Sequence, residues 1–396
     1  MILRNDKKDT RRILTTKGEL AILRTVLRPN DEDSMRLLSE TEGVKCIAPL
    51  DIILKIDDLP FKMTREMMCE VAFWGQNQSS YKAASEIVNK TRGVSISHET
   101  IRAITDYTGK IIFDQDTALA ESTYKCITQN EFSERKTGIL YIQADGAAVN
   151  TRIKNEEGST WRENKLGIVF SSDNIKKSVN KKGESTSEIL KKEHTSYIGS
   201  AQEFKKYLLA CAKRNGYGSY KETVILSDGA KWIKNIGDEC FPDAVQVLDL
   251  FHLCENTYSY AKAIFKNDET MYKPWATEII EKLKDSKTQE VLQILKAFKD
   301  RKLPKGTVDL YIYIENNIDR VDYKAYKEKD YYVGSGVIES GNKVVLQKRL
   351  KLAGMRWDPL AAQYLLSLRA KYESGLWMDG VVMSILKYDF SKMNHL

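Results

Sequence analysis

Two short β-rich runs, Arg11-Arg-Ile-Leu-Thr-Thr16 and Glu19-Leu-Ala-Ile-Leu-Arg-Thr-Val-Leu-Arg28, flank a Lys17-Gly18 turn. They predict a hairpin with Arg24 and Arg28 toward solvent. Pro29-Asn-Asp31 breaks it, and the stretch after it has no clear period. From Thr64 onward the apolar spacing turns helical. Thr64 is placed to cap a helix over 65–74, Ser79 or Ser80 one over 81–90, and Ser97 a third over 98–112. Ala83, Ala84, Ile87 and Val88 share one face of the second helix; Ile101, Ile104 and Tyr107 share one face of the third. Two helices about a turn containing Gly93 suit a helix-turn-helix that presents His98, Glu99, Thr100 and Arg102 to a DNA groove. The same pattern also suits a helical packing module without DNA contact.

A charged connector, 122–136, precedes the apolar run Ile139–Ala144, which predicts a central strand ending on Asp145-Gly146. Strands are expected over 161–170, with Trp161, Leu166, Ile168 and Phe170 inward, and over 194–198. The lysine-rich 171–192 between them reads as a loop or hairpin tip. Ser200 starts a helix with Phe204, Tyr207, Leu208 and Cys211 on one side. Thr223-Val-Ile-Leu-Ser-Asp228-Gly229 then repeats the strand–Asp–Gly logic, and Ala244–Asp249 is a third such strand, followed by a helix carrying His252. Residues 260–329 are helical and highly charged. The chain then reaches Gly334-Ser-Gly-Val-Ile-Glu339-Ser-Gly-Asn-Lys343, a glycine-rich lead into a helix capped by Ser335 and stopped by Gly354.

That pattern of strands, crossing helices and a late helix implies an α/β fold, a mixed sheet with a helical insertion behind a helical N-terminal domain. Chemistry in such sheets gathers at strand carboxyl ends. There Asp145 and Asp228 would meet, with the Glu339 helix packed across the sheet. Each also has a plain reading. Asp-Gly is a common turn, Glu339 is well placed beside a helix dipole, and Asp249 can simply cap a helix over a packed His252. The repetition in the order Asp, Asp, Glu favours a shared site. Three hard oxygen ligands suit Mg²⁺, with Mn²⁺ as substitute, rather than zinc. Two such ions would support in-line phosphoryl transfer. Lys343 follows Glu339 on the same helix face, and Lys348, Arg349, Lys351 and Arg356 follow as candidate phosphate contacts with Arg102.

Composition narrows the class without deciding it. With 396 residues, 42% hydrophobic and 7 Pro, the chain can form two or three ordered domains. Its net charge of +7 is compatible with a polyanionic partner and does not demand one. Cys46, Cys69, Cys126, Cys211, Cys240 and Cys254 form no CxxC pair, so a zinc ribbon or finger is not expected. No apolar run is long enough to span a membrane, and the charged N-terminus does not read as a secretory signal. The cytoplasm is the expected compartment, with nucleoid association when DNA is bound. His98, His194 and His395 show no pairing.

Five ordered motifs then carry a resemblance: Tyr141-Ile-Gln-Ala-Asp145-Gly-Ala-Ala-Val, Trp161-Arg-Glu-Asn-Lys-Leu-Gly, Leu226-Ser-Asp228-Gly-Ala-Lys-Trp-Ile, Leu248-Asp-Leu-Phe-His252-Leu and Gly334-Ser-Gly-Val-Ile-Glu339-Ser. Together they resemble the ISLre-two family of bacterial insertion-sequence transposases, similar in organisation to mutator-like DDE transposases. The likeness runs from Met63 to Arg369. It implies a ribonuclease-H-like core, Mg²⁺-dependent cleavage of transposon ends and strand transfer into target DNA. It also implies a homo-oligomer on double-stranded DNA, with no small-molecule cofactor and no membrane. Asp145, Asp228 and Glu339 fall on the catalytic, metal-holding acids, and Asp249 and His252 on an auxiliary Asp-x-x-His motif. Relatives look longer before this core, with cysteines arranged like a zinc ribbon where only Cys46 stands here.

The expected division is a β-rich 1–62, a reduced end-binding module; a helix-turn-helix-like 63–112; a linker 113–136; and the first part of the core, 137–259. An all-helical insertion, 260–333, and the Glu339 helix with a helical tail, 334–396, complete it. A silent or domesticated DNA-binding remnant and a structure-selective nuclease are the alternative readings.

Overall fold

In the first unit, β1 (Leu3–Thr15) and β2 (Gly18–Pro29) pair antiparallel as a ribbon, and Gly18 at φ +110° makes its turn. The structure is a computed structural model that describes residues 2–42, 44–56, 59–126, 136–179, 185–299, 301–334 and 336–390. The expected Ser335 cap and His395 lie outside the described residues, as do 127–135 of the connector and 180–184 of the lysine-rich segment. Helices α1 (Glu32–Glu42) and α2 (Pro49–Ile53) follow the ribbon, where the sequence carries no clear period. Arg24 is not solvent-directed as expected. Its guanidinium ion-pairs with buried Asp51 of α2 and, at 3.3 Å, with Asp9. Arg28 is partly exposed and pairs with Asp6 at 3.3 Å.

The predicted caps form in α3 (Arg65–Asn77), α4 (Tyr81–Arg92) and α5 (His98–Lys125). Thr64, Ser80 and Ser97 each accept a hydrogen bond from the backbone N–H three residues on. Gly93, at φ +64°, ends α4 in the left-handed conformation a helix stop favours. Ala84, Val88, Ile101 and Ile104 are fully buried together with Met67 and Met68, while His98, Glu99 and Arg102 stay exposed. Contrary to the expected linker from residue 113, α5 continues to Lys125, because Ala120 and other apolar positions extend its buried stripe. By contact density the chain divides into Met1–Asp114 with Leu376–Leu396, and Gln115–Gly375.

The second unit is built on a five-stranded mixed sheet. Its strands are β3 (Lys136–Asn150), β4 (Trp161–Ser171), β7 (Glu193–Ile198), β8 (Tyr220–Ser227) and β9 (Val245–Leu248), in the spatial order β7-β4-β3-β8-β9. β4 runs antiparallel to β3 and β7, whereas β3, β8 and β9 are mutually parallel. Between β4 and β7, the strands β5 (Ile175–Val179) and β6 (Ser185–Ile189) form a separate hairpin. Trp161 is 51% exposed rather than inward: it opens β4 and stands an odd number of residues from Leu166, so the alternation of a strand puts the two on opposite faces.

Both sheet faces are covered. On one, α6 (Ala201–Arg214), with its Ser200 cap, and α7 (Lys231–Cys240) bury Leu140, Ile142 and Val169 against Phe204, Leu208 and Ile236. On the other lies α13 (Gly336–Gly341), reached after α8 (Leu250–Ile264), α9 (Glu269–Lys284), α10 (Thr288–Lys296), α11 (Leu310–Glu315) and α12 (Tyr323–Glu328). Helices α9 to α12 lie within 260–333, the stretch expected to form a helical insertion, and α8 begins ahead of it at Leu250. A π-helical turn, Asn342–Gln347, joins α13 to α14 (Lys348–Leu350). Helix α15 (Pro359–Glu373) then lies along the edge strand β7. Gln363 and Ser374 satisfy the outward groups of His194, Ser196 and Ile198, which closes an edge that would otherwise invite pairing. A second π-helical turn, Trp377–Val382, and α16 (Met383–Lys387) return to the first unit. No helix among the described residues is long and apolar enough to cross a membrane.

Candidate active site

Register alone brings three aspartates into a row. Gln143 pairs with Leu226 and Ser227 with Leu248, so Asp145, Asp228 and Asp249 stand side by side at the carboxyl ends of β3, β8 and β9. Asp145-Gly146 is not the expected turn. β3 runs on to Asn150 because β4 pairs with it along that length, while its parallel pairing with β8 stops at Gln143. Asp228 does leave its strand. Its Oδ1 accepts from Ala230 N–H at 2.9 Å, and Gly229 turns the chain at φ +94°. A β-carbon at Gly229 would stand 3.0 Å from both Leu248 and Tyr313.

Asp145, Asp228, Asp249 and His252 line one small niche with Ile338, of about 10 Å³, room for one water-sized occupant. Burial pushes the Asp145 carboxyl above the usual carboxylate range. The Gly146 N–H (2.7 Å) draws it down, neighbouring Asp228 pushes it up, and His252 and the Asn342 amide draw it down. Asp249 is buried and caps α8. Its Oδ1 accepts from His252 N–H at 2.8 Å and from the ring Nδ1 at 3.3 Å, while Oδ2 has no hydrogen-bond partner among the described residues. That bond, assisted by the charges of Asp249, Asp228 and Glu255, outweighs burial and raises His252 to about 9. The ring is therefore a cation at neutral pH, set among the acids. The plain reading of Asp249 as a cap holds, and the same residue also faces the niche.

Glu339 stands on the other side of Asp145. It is exposed on α13 and opens into a groove of about 730 Å³ shared with Asp145, Lys343, Gln347 and Lys351. These helical positions recur every four residues, the spacing of one face. Asn342 Nδ2 holds Asp145 Oδ2 at 2.6 Å, between niche and groove. Among the described residues, no group of three or more Asp, Glu, His or Cys side chains stands close enough to hold one ion. The structure thus brings Asp145 and Asp228 together and places Glu339 beside Asp145 rather than in a single closed cage. The donors fit a hard dication in kind: they are carboxylates, with a buried unpartnered oxygen on Asp249.

The Glu339 segment is fixed by residues the sequence reading passed over. Gln143, buried in β3, donates from Nε2 to Gly334 O at 3.0 Å, and Tyr141 Oη accepts from Tyr332 N–H at 3.0 Å. Gly341 lets α13 lie directly on β4, since a β-carbon there would fall 2.4 Å from Ile168 Cδ1. The polar Gln143 amid an apolar strand was the one available signal for the first of these. From the insertion, Tyr313 donates to Asp228 O at 2.7 Å, Arg320 to Ser227 Oγ at 3.3 Å and Tyr323 to Leu248 O at 2.9 Å. The insertion therefore braces the strand ends that bear the aspartates.

The expected basic contacts divide. Lys343, Lys348, Lys351 and Arg356 are exposed, and Arg102 is exposed in the first unit. Arg349 is not available to a phosphate: it is 1% exposed, with its guanidinium over the Trp357 ring at 5.0 Å.

A mixed α/β protein whose parallel strands end in a row of aspartates, faced by a glutamate-bearing helix, is the class that fold and site define. The chain belongs to an uncharacterised protein family, UPF0236, whose profile matches residues 53–384. A search of curated proteins finds no match to the sequence.

Proposed function

We propose that the protein is a DDE transposase of the ISLre-two kind, a ribonuclease-H-like polynucleotidyl transferase that cuts transposon ends and joins them to target DNA. The observation that carries this reading is the pairing of Asp145 with Asp228 at adjacent parallel strand ends, with Glu339 sharing a basic-rimmed groove with Asp145. The strand order β7-β4-β3-β8-β9, in which β4 alone runs against the other four, supports the ribonuclease-H-like assignment. Asp145, Asp228 and Glu339 are the residues that would hold Mg²⁺. When bound, such ions supply charge stabilisation for in-line displacement at phosphorus.

The chain's own groups do the rest. Lys343 and Lys351 hold the phosphate backbone along the groove. Asn342 orients the Asp145 carboxylate, and the His252 cation offsets the charge accumulated by three aspartates. Gln143 and Tyr141 fix the lead into the Glu339 helix, so its distance from the strand ends is set by the sheet.

One observation favours a second reading, a DNA-binding protein that does not cut: the three acids are not gathered into one ion-sized group. An end-cleavage assay on the flanking DNA separates the two. Asp228→Asn should abolish Mg²⁺-dependent nicking and strand joining while leaving the dissociation constant for DNA unchanged. Nicking that survives the substitution rejects the role given to Asp228. A wild-type protein that binds but is inert in both Mg²⁺ and Mn²⁺ favours the second reading, and cleavage never followed by joining indicates a nuclease.

A further inference from the structure

We infer that the β1–β2 ribbon is a duplex-DNA contact surface in its own right, lying in the major groove. Between Leu3 and Pro29 there are eight basic and three acidic residues, a surplus of five, against seven for the entire chain. The charge suspected in the sequence is thus concentrated in one element. Each of the three acids is already matched: Asp6 with Arg28, Asp9 with Arg24, and Glu19 with Arg12. Arg4, Lys7, Lys8 and Lys17 are exposed, and among the described residues none of these four is in an ion pair.

Register separates the two faces. Ile13 and Val26 are buried on one, where Arg24 turns in to Asp51. The opposite face carries the opposed pairs Lys8 with Thr25, Thr10 with Leu23, and Arg12 with Ala21, all six residues exposed. That row sets Lys8, Arg12 and two threonines beside exposed Leu23 and Ala21, and its two positive charges make it poor material for a wholly apolar interface. The charges along the strands also disfavour strand addition by another copy. A polyanion is the occupant this charge selects.

Shape narrows the choice further. Thirteen residues of β1 extend roughly 44 Å at the usual rise per residue. A two-stranded ribbon is one of the elements that the wide major groove of B-DNA admits, whereas the deep, narrow groove of duplex RNA does not. The inference rests on the proposed action on DNA only for the identity of the polyanion. The charge, register and exposure stand independently of it.

The test uses the full chain with Arg4, Lys7, Lys8 and Lys17 changed to Gln, and a second variant with Lys8→Glu and Arg12→Glu on the open face. Binding of a short mixed-sequence DNA duplex is followed by fluorescence anisotropy over a salt titration. Each lost phosphate contact should lower the slope of log K against log salt by about 0.9, so the fourfold variant should lose about 3.6. The double variant should weaken binding tenfold or more with an unchanged melting profile. An unchanged slope overturns the inference. So does an equal loss on phosphatidylserine vesicles or polyglutamate, which would mark a general polyanion surface. Nicking at saturating DNA is read in parallel. If the ribbon variants lose affinity and the wild type never nicks, the ribbon stands and the transposase reading fails. Nicking with unaltered affinity gives the reverse.

Discussion

Asp145 faces two neighbours at once, an aspartate across the niche and the Asn342 amide from the π-helical turn after α13, and His252 supplies the positive charge that makes this tolerable. Because His252 is raised from 6.5 to about 9 in the folded chain, the stabilisation it brings is fully present below about pH 6.5. It is lost as the pH rises through 9. His252→Asn should remove that dependence, so the wild-type melting temperature should fall more steeply than the variant's between pH 7 and 10. Parallel curves would reject the imidazolium. Arg349 makes the opposite point about a cation. Its charge lies under Trp357 and near Arg369, where burial brings the Arg369 guanidinium down to about 10. Arg349→Ala should cost about 3 kcal/mol in urea unfolding, in the range for emptying the volume of a large, fully buried side chain and losing its ring contact. DNA affinity of the folded fraction should not change. Lys343→Ala and Lys351→Ala should do the reverse, each lowering the salt slope of binding by about 1 with stability intact.

At the level of elements, the helix bearing Glu339 is held by its contact with the sheet more than by its own sequence. Gly341 is pressed on Ile168 and Leu166, and the π-helical turn that follows leaves carbonyls at Val344 and Val345, which buried Arg369 takes up. Gly341→Ala should therefore lift α13 and cost roughly 1–3 kcal/mol. The same change paired with Ile168→Val should recover part of that loss, as measured by denaturation of both variants. An unaffected single variant would show that the helix is free to move. These elements also mark what a sequence discloses. Thr64, Ser80, Ser97 and Ser200 were readable because a cap depends on neighbours within one turn. The two Asp-Gly pairs looked alike, yet only Asp228 begins a turn. Asp145 stays in its strand because of β4, a partner decided over a distance in sequence that no local pattern spans. Arg24 and Arg349 were misplaced for the same reason: their counterparts, Asp51 and Trp357, come from other elements. Asp145, Asp228 and Asp249 were each legible as the end of an apolar strand, and the register sets them in one row, but nothing local showed that Asn342 lies between the niche and Glu339.

Across the whole molecule, the discontinuity of the first unit has an energetic consequence. Residues 376–390 close the core begun by the N-terminal helices. Ile385 and Phe390 are buried with Met67, Ile104 and Ile111, Tyr107 stacks on Phe390, and Arg65 donates to Leu386 O at 2.5 Å while lying over the Phe390 ring. Burying side chains of that size is worth about 1.5–3 kcal/mol each, so two of them form a large share of a domain's net stability. The second unit keeps its own core around Ile142, Phe204 and Ile225 and takes nothing from those residues. A chain ending at Gly375 should then show calorimetric unfolding in which one transition drops by many degrees and the other keeps its temperature. Retention of residual secondary structure at the intermediate plateau would be read by circular dichroism. If both transitions shift together, the two units unfold as one cooperative body. If neither shifts, the C-terminal segment contributes nothing to the first core, and its buried aromatic contacts carry no stability.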